Sequence, residues 1–286
     1  MPSLIDLRRR IRSVRNTQQV TKAMKMVSAA KLRRAQDRVL GARPYGAMYR
    51  ELRARLAAAV AADERLASHP LLVQRPENRI LLVFITADRG LAGAFNTNLI
   101  RAAEAFLHKH SGQQVELVTV GRKGRDFFRK RQAPIVAEYT GFSQKFDYAE
   151  AAAVARFLME RYQSAATDAV YLLYNEFKSL MSARLTVTRV LPVEPAQAVR
   201  PVDYIFEQSP AELLAGLLPR YVEIAVYQAL LESVAAEHAA RMTAMDQATK
   251  NAGEMIARLT LFMNRVRQAS ITKELIEVVS GAEALE

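Results

Sequence analysis

Two glycine-punctuated turns are where chemistry would first be sought. TADRGLAGAFN (86–96) follows an apolar run and precedes a helical one. Gly90 and Gly93 there could bring backbone N–H groups toward a phosphate. VGRKGRDFFRKR (120–131) has a similar layout and is more basic. Neither contains G-x-G-x-x-G or G-x-x-x-x-G-K-[ST]. The first therefore reads as a tight strand-to-helix turn. The second reads as a solvated basic helix face, with an anionic partner surface as the sharper option. The chain has no cysteine, which removes thiolate chemistry and disulfides. Its four histidines are His69, His108, His110 and His238. His108 and His110 lie two apart, so they do not share a helix face, and no carboxylate joins them at ligand spacing. No nucleophile–base pair stands out. The expectation is no catalytic residue, no cofactor and no metal.

The elements carrying these turns sit between two long helical segments. At the start, Ser3 and Asp6 form a capping-box pattern. Leu4, Leu7, Ile11 and Val14 then alternate three and four apart, a coiled-coil seam that continues, drifting by one, through Val20, Met24 and Val27. GARPYG (41–46) is the first expected disruption. At the far end, no proline occurs from Arg220 to Val279. Met245, Ala252, Leu259 and Val266 are seven apart, and Ala248, Met255, Phe262, Ala269 and Ile276 form a second such series. A sustained 3.5-residue period implies a supercoil with a partner helix, and the other long helix is the natural partner. Between them, RILLVFIT, QVELVTV, DAVYLLYNEF and SARLTVTRVLPV read as strands, with helices at about 95–110, 121–131 and 146–166. That alternation predicts a mostly parallel sheet.

Charge is concentrated at one end. Residues 1–55 hold 15 Lys and Arg against Asp6, Asp37 and Glu51, a net +12; the remainder has 26 of each sign. A basic arm on a neutral body seeks an acidic partner: nucleic acid, anionic lipid or an acidic protein surface. The basic stretch 16–36 of the arm lacks aromatic residues for stacking on bases, and a nucleic-acid reading leaves the C-terminal heptads unexplained. No apolar run approaches the ~20 residues of a membrane span, and MPSLIDLRRRIRS has no signal-peptide apolar region.

Four blocks together carry a resemblance: IRSVRNTQQVTKAMKMVSAAKLRRAQ, DRGLAGAFN, EHAARMTAMDQATKNA and ITKELIEVVSGAEA. The chain resembles the gamma subunit of F-type ATP synthase over essentially its whole length. Ile271, Thr272, Glu274, Glu277, Gly281 and Ala282 match the family's tail signature. It departs at Ala92, where the family often has Cys, and at Ala94, where it often has Gly. No cysteine-bearing insert of the chloroplast kind stands between Leu191 and Tyr204, and the lack of a presequence suits a bacterial protein.

The resemblance implies an α/β fold with long helices: an antiparallel coiled coil of the N- and C-terminal helices plus an inserted Rossmann-like α/β domain. The expected divisions are 1–62 and 210–286 for the shaft and 76–200 for the α/β domain. It further implies a non-catalytic rotor shaft inside a ring of alpha and beta subunits. The α/β domain would sit with the epsilon subunit on a membrane ring of c subunits. Proton-driven rotation would thereby be coupled to ATP synthesis. Binding of nucleic acid is not expected. Membrane contact would come only through partner subunits, at the cytoplasmic face of the bacterial inner membrane. By resemblance, Met24 matches a shaft–ring contact, and Arg241, Gln268, Thr272 and Glu274 match coupling positions. Ala92 lies in a turn placed beneath acidic segments of the beta subunits. Lys25, Lys31, Arg33 and Arg34 are candidates for those segments on charge alone, the other reading being a solvated basic face.

Overall fold

The computed structural model describes residues 3–59, 69–142, 147–180, 182–193 and 209–283. The expected division points at residues 62, 200 and 286, and the stretch from 194 to Tyr204, lie outside these. The elements run α1 (Leu4–Ala59), β1 (Arg79–Ile85), α2 (Phe95–Lys109), β2 (Gln114–Val120), α3 (Arg122–Lys130), β3 (Ile135–Tyr139), α4 (Tyr148–Gln163), β4 (Ala169–Phe177), β5 (Ala183–Leu191) and α5 (Pro210–Glu283). The chain divides into two compact units: Met1–Ala29 with Arg241–Glu286, and Ala30–Ala240.

The first unit is an antiparallel coiled coil. Its α1 strand begins at the expected cap, where the Asp6 N–H donates to Ser3 Oγ at 3.1 Å. The pairing runs in opposite directions: Gln18 Nε2 donates to the Thr249 carbonyl, and Lys25 meets Asp246. On α1 the inward positions are Leu4, Leu7, Ile11, Val14, Gln18, Thr21, Lys25 and Ser28, an unbroken three–four alternation. The drift to Val20, Met24 and Val27 expected from sequence does not occur: Val20 and Val27 are 58% and 56% exposed. Small polar residues hold the register instead. Thr21 and Thr249 exchange a hydrogen bond of 2.8 Å across the seam. A part-buried polar pair of this kind favours one alignment of two helices that could otherwise slide.

On α5 the series Met245, Ala252, Leu259, Val266 faces inward as expected. Its companion is Thr249, Ile256, Met263 and Ser270, one residue later than the Ala248 series. Met255 and Phe262 are each 43% exposed. Leu259→Asp should therefore lower the stability of the isolated chain by roughly 2 kcal/mol, the cost of a poorly solvated polar group. Phe262→Asp should change it by about 0.5 kcal/mol or less, as surface substitutions do. Urea denaturation of both variants checks this, and a larger loss at Phe262 would refute the register.

The second unit contains the sheet, ordered β3-β2-β1-β4-β5. β1 is parallel to both β2 and β4, β2 is parallel to β3, and β5 is antiparallel to β4. RILLVFI is buried at every position after Arg79, as a central parallel strand covered on both faces must be. β3 was not expected from sequence; its five residues IVAEY form a half-buried edge strand just after Pro134. The Leu99, Ala103 and Phe106 side of α2 and the Ala151, Val154, Ala155, Leu158 and Tyr162 side of α4 are buried.

GARPYG does not interrupt α1: the helix runs through Pro44 to Ala59. A mid-helix proline costs about 3 kcal/mol in an isolated helix. Here packing within the second unit outweighs that preference. Leu32, Val39, Val222, Val226 and Leu230 are at most 3% exposed, and the Gln228 amide donates to the Ala42 carbonyl at 3.1 Å.

Asp168, 3% exposed just before β4, accepts from the backbone N–H, Nε and Nη2 of Arg79. These bonds hold its carboxyl below the ordinary value of 3.8. A depressed carboxyl contributes stability that is complete above the unfolded-state value, near 4, and is lost as pH falls through the folded-state value. Asp168→Asn should cost roughly 2 kcal/mol at neutral pH, typical of charge-assisted hydrogen bonds. The melting-temperature gap to the parent chain should close on acidification below about pH 4. A gap unchanged between pH 6 and pH 3 would contradict the assignment.

Candidate coupling surface

Both glycine turns are held internally. In the first, Asn96 Oδ1 accepts from the Ala87 N–H at 2.9 Å. Leu91 and Gly93 adopt left-handed backbone, with φ of 63° and 56°. The first-turn N–H groups of α3, where an anion would sit, already have acceptors. Arg122 donates to Asp88 Oδ1, Lys123 to the Ala87 carbonyl, and Gly124 to Thr86 Oγ1. Asp88 also accepts from the Gly141 N–H at 3.0 Å. Asp88 thus ties together the segments following β1, β2 and β3. The turn reading of Gly90 and Gly93 accounts for them without a phosphate.

The turn's exposed residues are Arg89, Leu91, Gly93 and Ala94, of which Leu91, 63% exposed, is the one large apolar side chain, whereas Ala92 is 1% exposed. The Ala92 side chain thus faces the core, and Leu91 is the apolar group presented outward. A bulky residue held in left-handed backbone stores about 1–3 kcal/mol, a cost that concentrates at contact sites.

The four basic candidates on α1 separate. Lys25 is turned into the seam, 2.5 Å from Asp246, which also meets Lys250 at 3.1 Å. These two ammonium groups, Lys25 foremost, hold the Asp246 carboxyl below its usual range. Lys31, Arg33 and Arg34 are exposed and make no ion pair among the described residues. Met24 is half-buried beside the seam. The Lys25–Asp246 pair was not anticipated. Its sequence signal is a lysine at an otherwise regular seam position.

Toward its C-terminal end α5 loses all cover. Residues 271–280 are exposed at every position, including Ile271 at 50%, Leu275 at 60%, Ile276 at 59%, Val278 at 70% and Val279 at 62%. Thr272 and Glu274 lie on this exposed stretch, and Gln268 is exposed just before it. Thr272 Oγ1 donates to the Gln268 carbonyl at 3.0 Å, and Ser270 Oγ donates to Glu274 at 3.2 Å. Arg241, by contrast, is 9% exposed. The proposed coupling residues are therefore spread over several surfaces rather than gathered in a pocket.

Among the described residues no helix is long and apolar enough to cross a membrane, and no three His, Asp or Glu gather to hold a metal.

This arrangement has close counterparts. The family model described as ATP synthase matches residues 3–285. The chain is 64% identical to the ATP synthase gamma chain of Solibacter usitatus and 51% identical to that of Pelotomaculum thermopropionicum, in both cases over the whole of each chain. A chain in the central stalk and c-ring structure of the Tetrahymena thermophila mitochondrial ATP synthase is 27% identical. That match has a TM-score of 0.58 and covers 80% of this chain and 99% of that one. A chain of the Euglena gracilis mitochondrial enzyme shares the fold at TM-score 0.67 and 19% identity, over 99% and 94%. With full-length identity at this level and the same paired helices and sheet, the chain belongs to the ATP synthase gamma chain family.

Proposed function

We propose that this gamma chain is the non-catalytic central rotor of a bacterial, proton-translocating ATP synthase. The observation that carries the reading is the bare end of α5. A helix whose Ile271, Leu275, Ile276, Val278 and Val279 are all exposed is apolar on several sides, and such a helix calls for a surrounding apolar sleeve. A ring of alpha and beta subunits supplies one. The exposed Lys31, Arg33 and Arg34 and the Leu91 knob are suited to acidic segments of the beta subunits. The sheet-bearing unit would meet epsilon and the c-ring at the cytoplasmic face of the inner membrane.

The mechanism follows from symmetry. One asymmetric shaft cannot present the same face to three equivalent catalytic sites. Each site meets a different contact energy, which shifts its own equilibrium among open and closed forms. Shifting a two-state site from almost all open to almost all closed takes about 5.5 kcal/mol of differential contact. Turning the shaft moves that bias from one site to the next.

The test is reconstitution with alpha and beta subunits. The chain alone should hydrolyse no ATP. The complex should turn over, and Lys31, Arg33 and Arg34 changed together to Gln should weaken proton pumping per ATP hydrolysed. Each exposed pair contributes only ~0.2–1 kcal/mol, so single changes should be almost silent. Normal pumping by the triple variant would make these residues a solvated face. ATP hydrolysis by the chain alone would sink the non-catalytic reading.

A further inference from the structure

In a doubly wound sheet, ligands bind outside the carboxyl ends of the strands, where the strand order reverses. Here that point lies between β1 and β4: the chain proceeds from β1 outward through β2 and β3, then returns to the opposite side of β1. The place is filled by the protein's own long helices. At the end of β4, Glu232 Oε2 accepts from the Phe177 N–H at 2.9 Å, and Arg43 Nη2 donates to the Phe177 carbonyl at 2.8 Å. Arg43 also donates from Nε to Glu232 Oε1 at 3.0 Å and from Nη2 to Oε2 at 3.2 Å. At the end of β1, Ser233 Oγ donates to the Ile85 carbonyl at 3.4 Å. Glu232 and Ser233 are 9% and 2% exposed. One guanidinium–carboxylate pair, with one partner on α1 and the other on α5, thus grips both backbone polar groups of a single strand-end residue.

We propose that Arg43 and Glu232 form a mechanical joint, through which rotational force passes between the sheet and the two long helices. The inference rests on the rotor reading. Apolar packing resists separation but is non-directional, so it resists sliding and twisting weakly. A bidentate charged pair with added backbone bonds has a fixed geometry, which is what a joint under shear requires. Arg43 and Glu232 are positioning residues here: they touch no nucleotide and act through the strand end.

The experiment is single-molecule rotation of the assembled complex. The alpha and beta ring is fixed, and beads of increasing size are attached at Ser111→Cys, an exposed position beyond α2. The variants are Arg43→Ala and Glu232→Gln; glutamine keeps an acceptor for the Phe177 N–H, so this variant folds even if the other does not. With the smallest bead both should turn within about twofold of the parent complex. With the largest bead they should stall or slip, falling at least fivefold below the parent. Arg43→Lys should show an intermediate loss, because an ammonium cannot make the fork. Equal slowing at every bead size would reveal a merely structural role, and parent-like rotation under load would remove the joint. If the parent complex itself does not rotate, it is the rotor reading that fails.

Discussion

Gly121→Ala is expected to destabilise the second unit by roughly 4 kcal/mol, combining backbone strain and overpacking of about 1–3 kcal/mol each. Gly121 has φ 94° and ψ 145°, a region that residues with a Cβ hardly enter. A Cβ there would lie 2.1 Å from the Thr86 carbonyl oxygen. That oxygen cannot easily retreat. The Thr86 N–H and Oγ1 both donate to the Val120 carbonyl, at 2.7 and 3.1 Å, which pins the end of β1 to the end of β2. On the other side the Gly121 N–H donates to the Tyr139 carbonyl at 2.8 Å. The clash therefore spreads into three parallel strands. Against a typical total of 5–15 kcal/mol, such a loss leaves a unit that melts early and assembles poorly. Gly112→Ala is the control: a Cβ there meets nothing within 4 Å, so its effect should stay within about 0.5 kcal/mol. Equal urea midpoints for the two variants would show that the turn tolerates a side chain.

Legibility from sequence followed side-chain size. Leu4, Leu7, Ile11 and Val14 were readable because large apolar groups three and four apart have one plausible use. The same seam then continues through Gln18, Thr21, Lys25 and Ser28, where polarity hides it, and the eye moves to Val20 and Val27 on the outside. On α5, Met255 and Phe262 drew the second series outward by one residue, because hydrophobicity does not distinguish a face that meets its partner within the chain from one left exposed. The sheet's central strands were legible as continuous apolar runs. β3 was not, being only five residues long and half-buried throughout. Pro44 misled because local propensity says nothing about a helix 186 residues further along the chain that packs beside its neighbours Ala42 and Gly46. The Arg43–Glu232 grip, linking residues 189 apart, has no local signal.

The same holds for the coupling surface. Family resemblance nominated positions, and only geometry sorted them. Lys25 belongs to the seam, Ala92 to the core, and Lys31, Arg33 and Arg34 to the outside. The net +12 of residues 1–55 therefore overstates the charge available to a partner.

The largest functional effect is expected from a bridge between this chain and the catalytic ring. The place for it is Leu91, which is 63% exposed, rather than its buried neighbour Ala92. Cysteine at 91 keeps the existing backbone and exchanges one outward side chain for another. Paired with one engineered cysteine on the acidic segment of a beta subunit, Leu91→Cys should oxidise to a disulfide where the two Cα atoms come within about 7 Å. Continuous ATP turnover requires each beta site to pass through every state in turn. A shaft tied to one beta subunit fixes which site is open and which is closed, so turnover should fall toward zero. The chain has no cysteine of its own, so the bridge is unambiguous and reduction should restore the rate. A fully bridged complex that hydrolyses ATP at the unbridged rate would mean that the gamma chain need not rotate for catalysis.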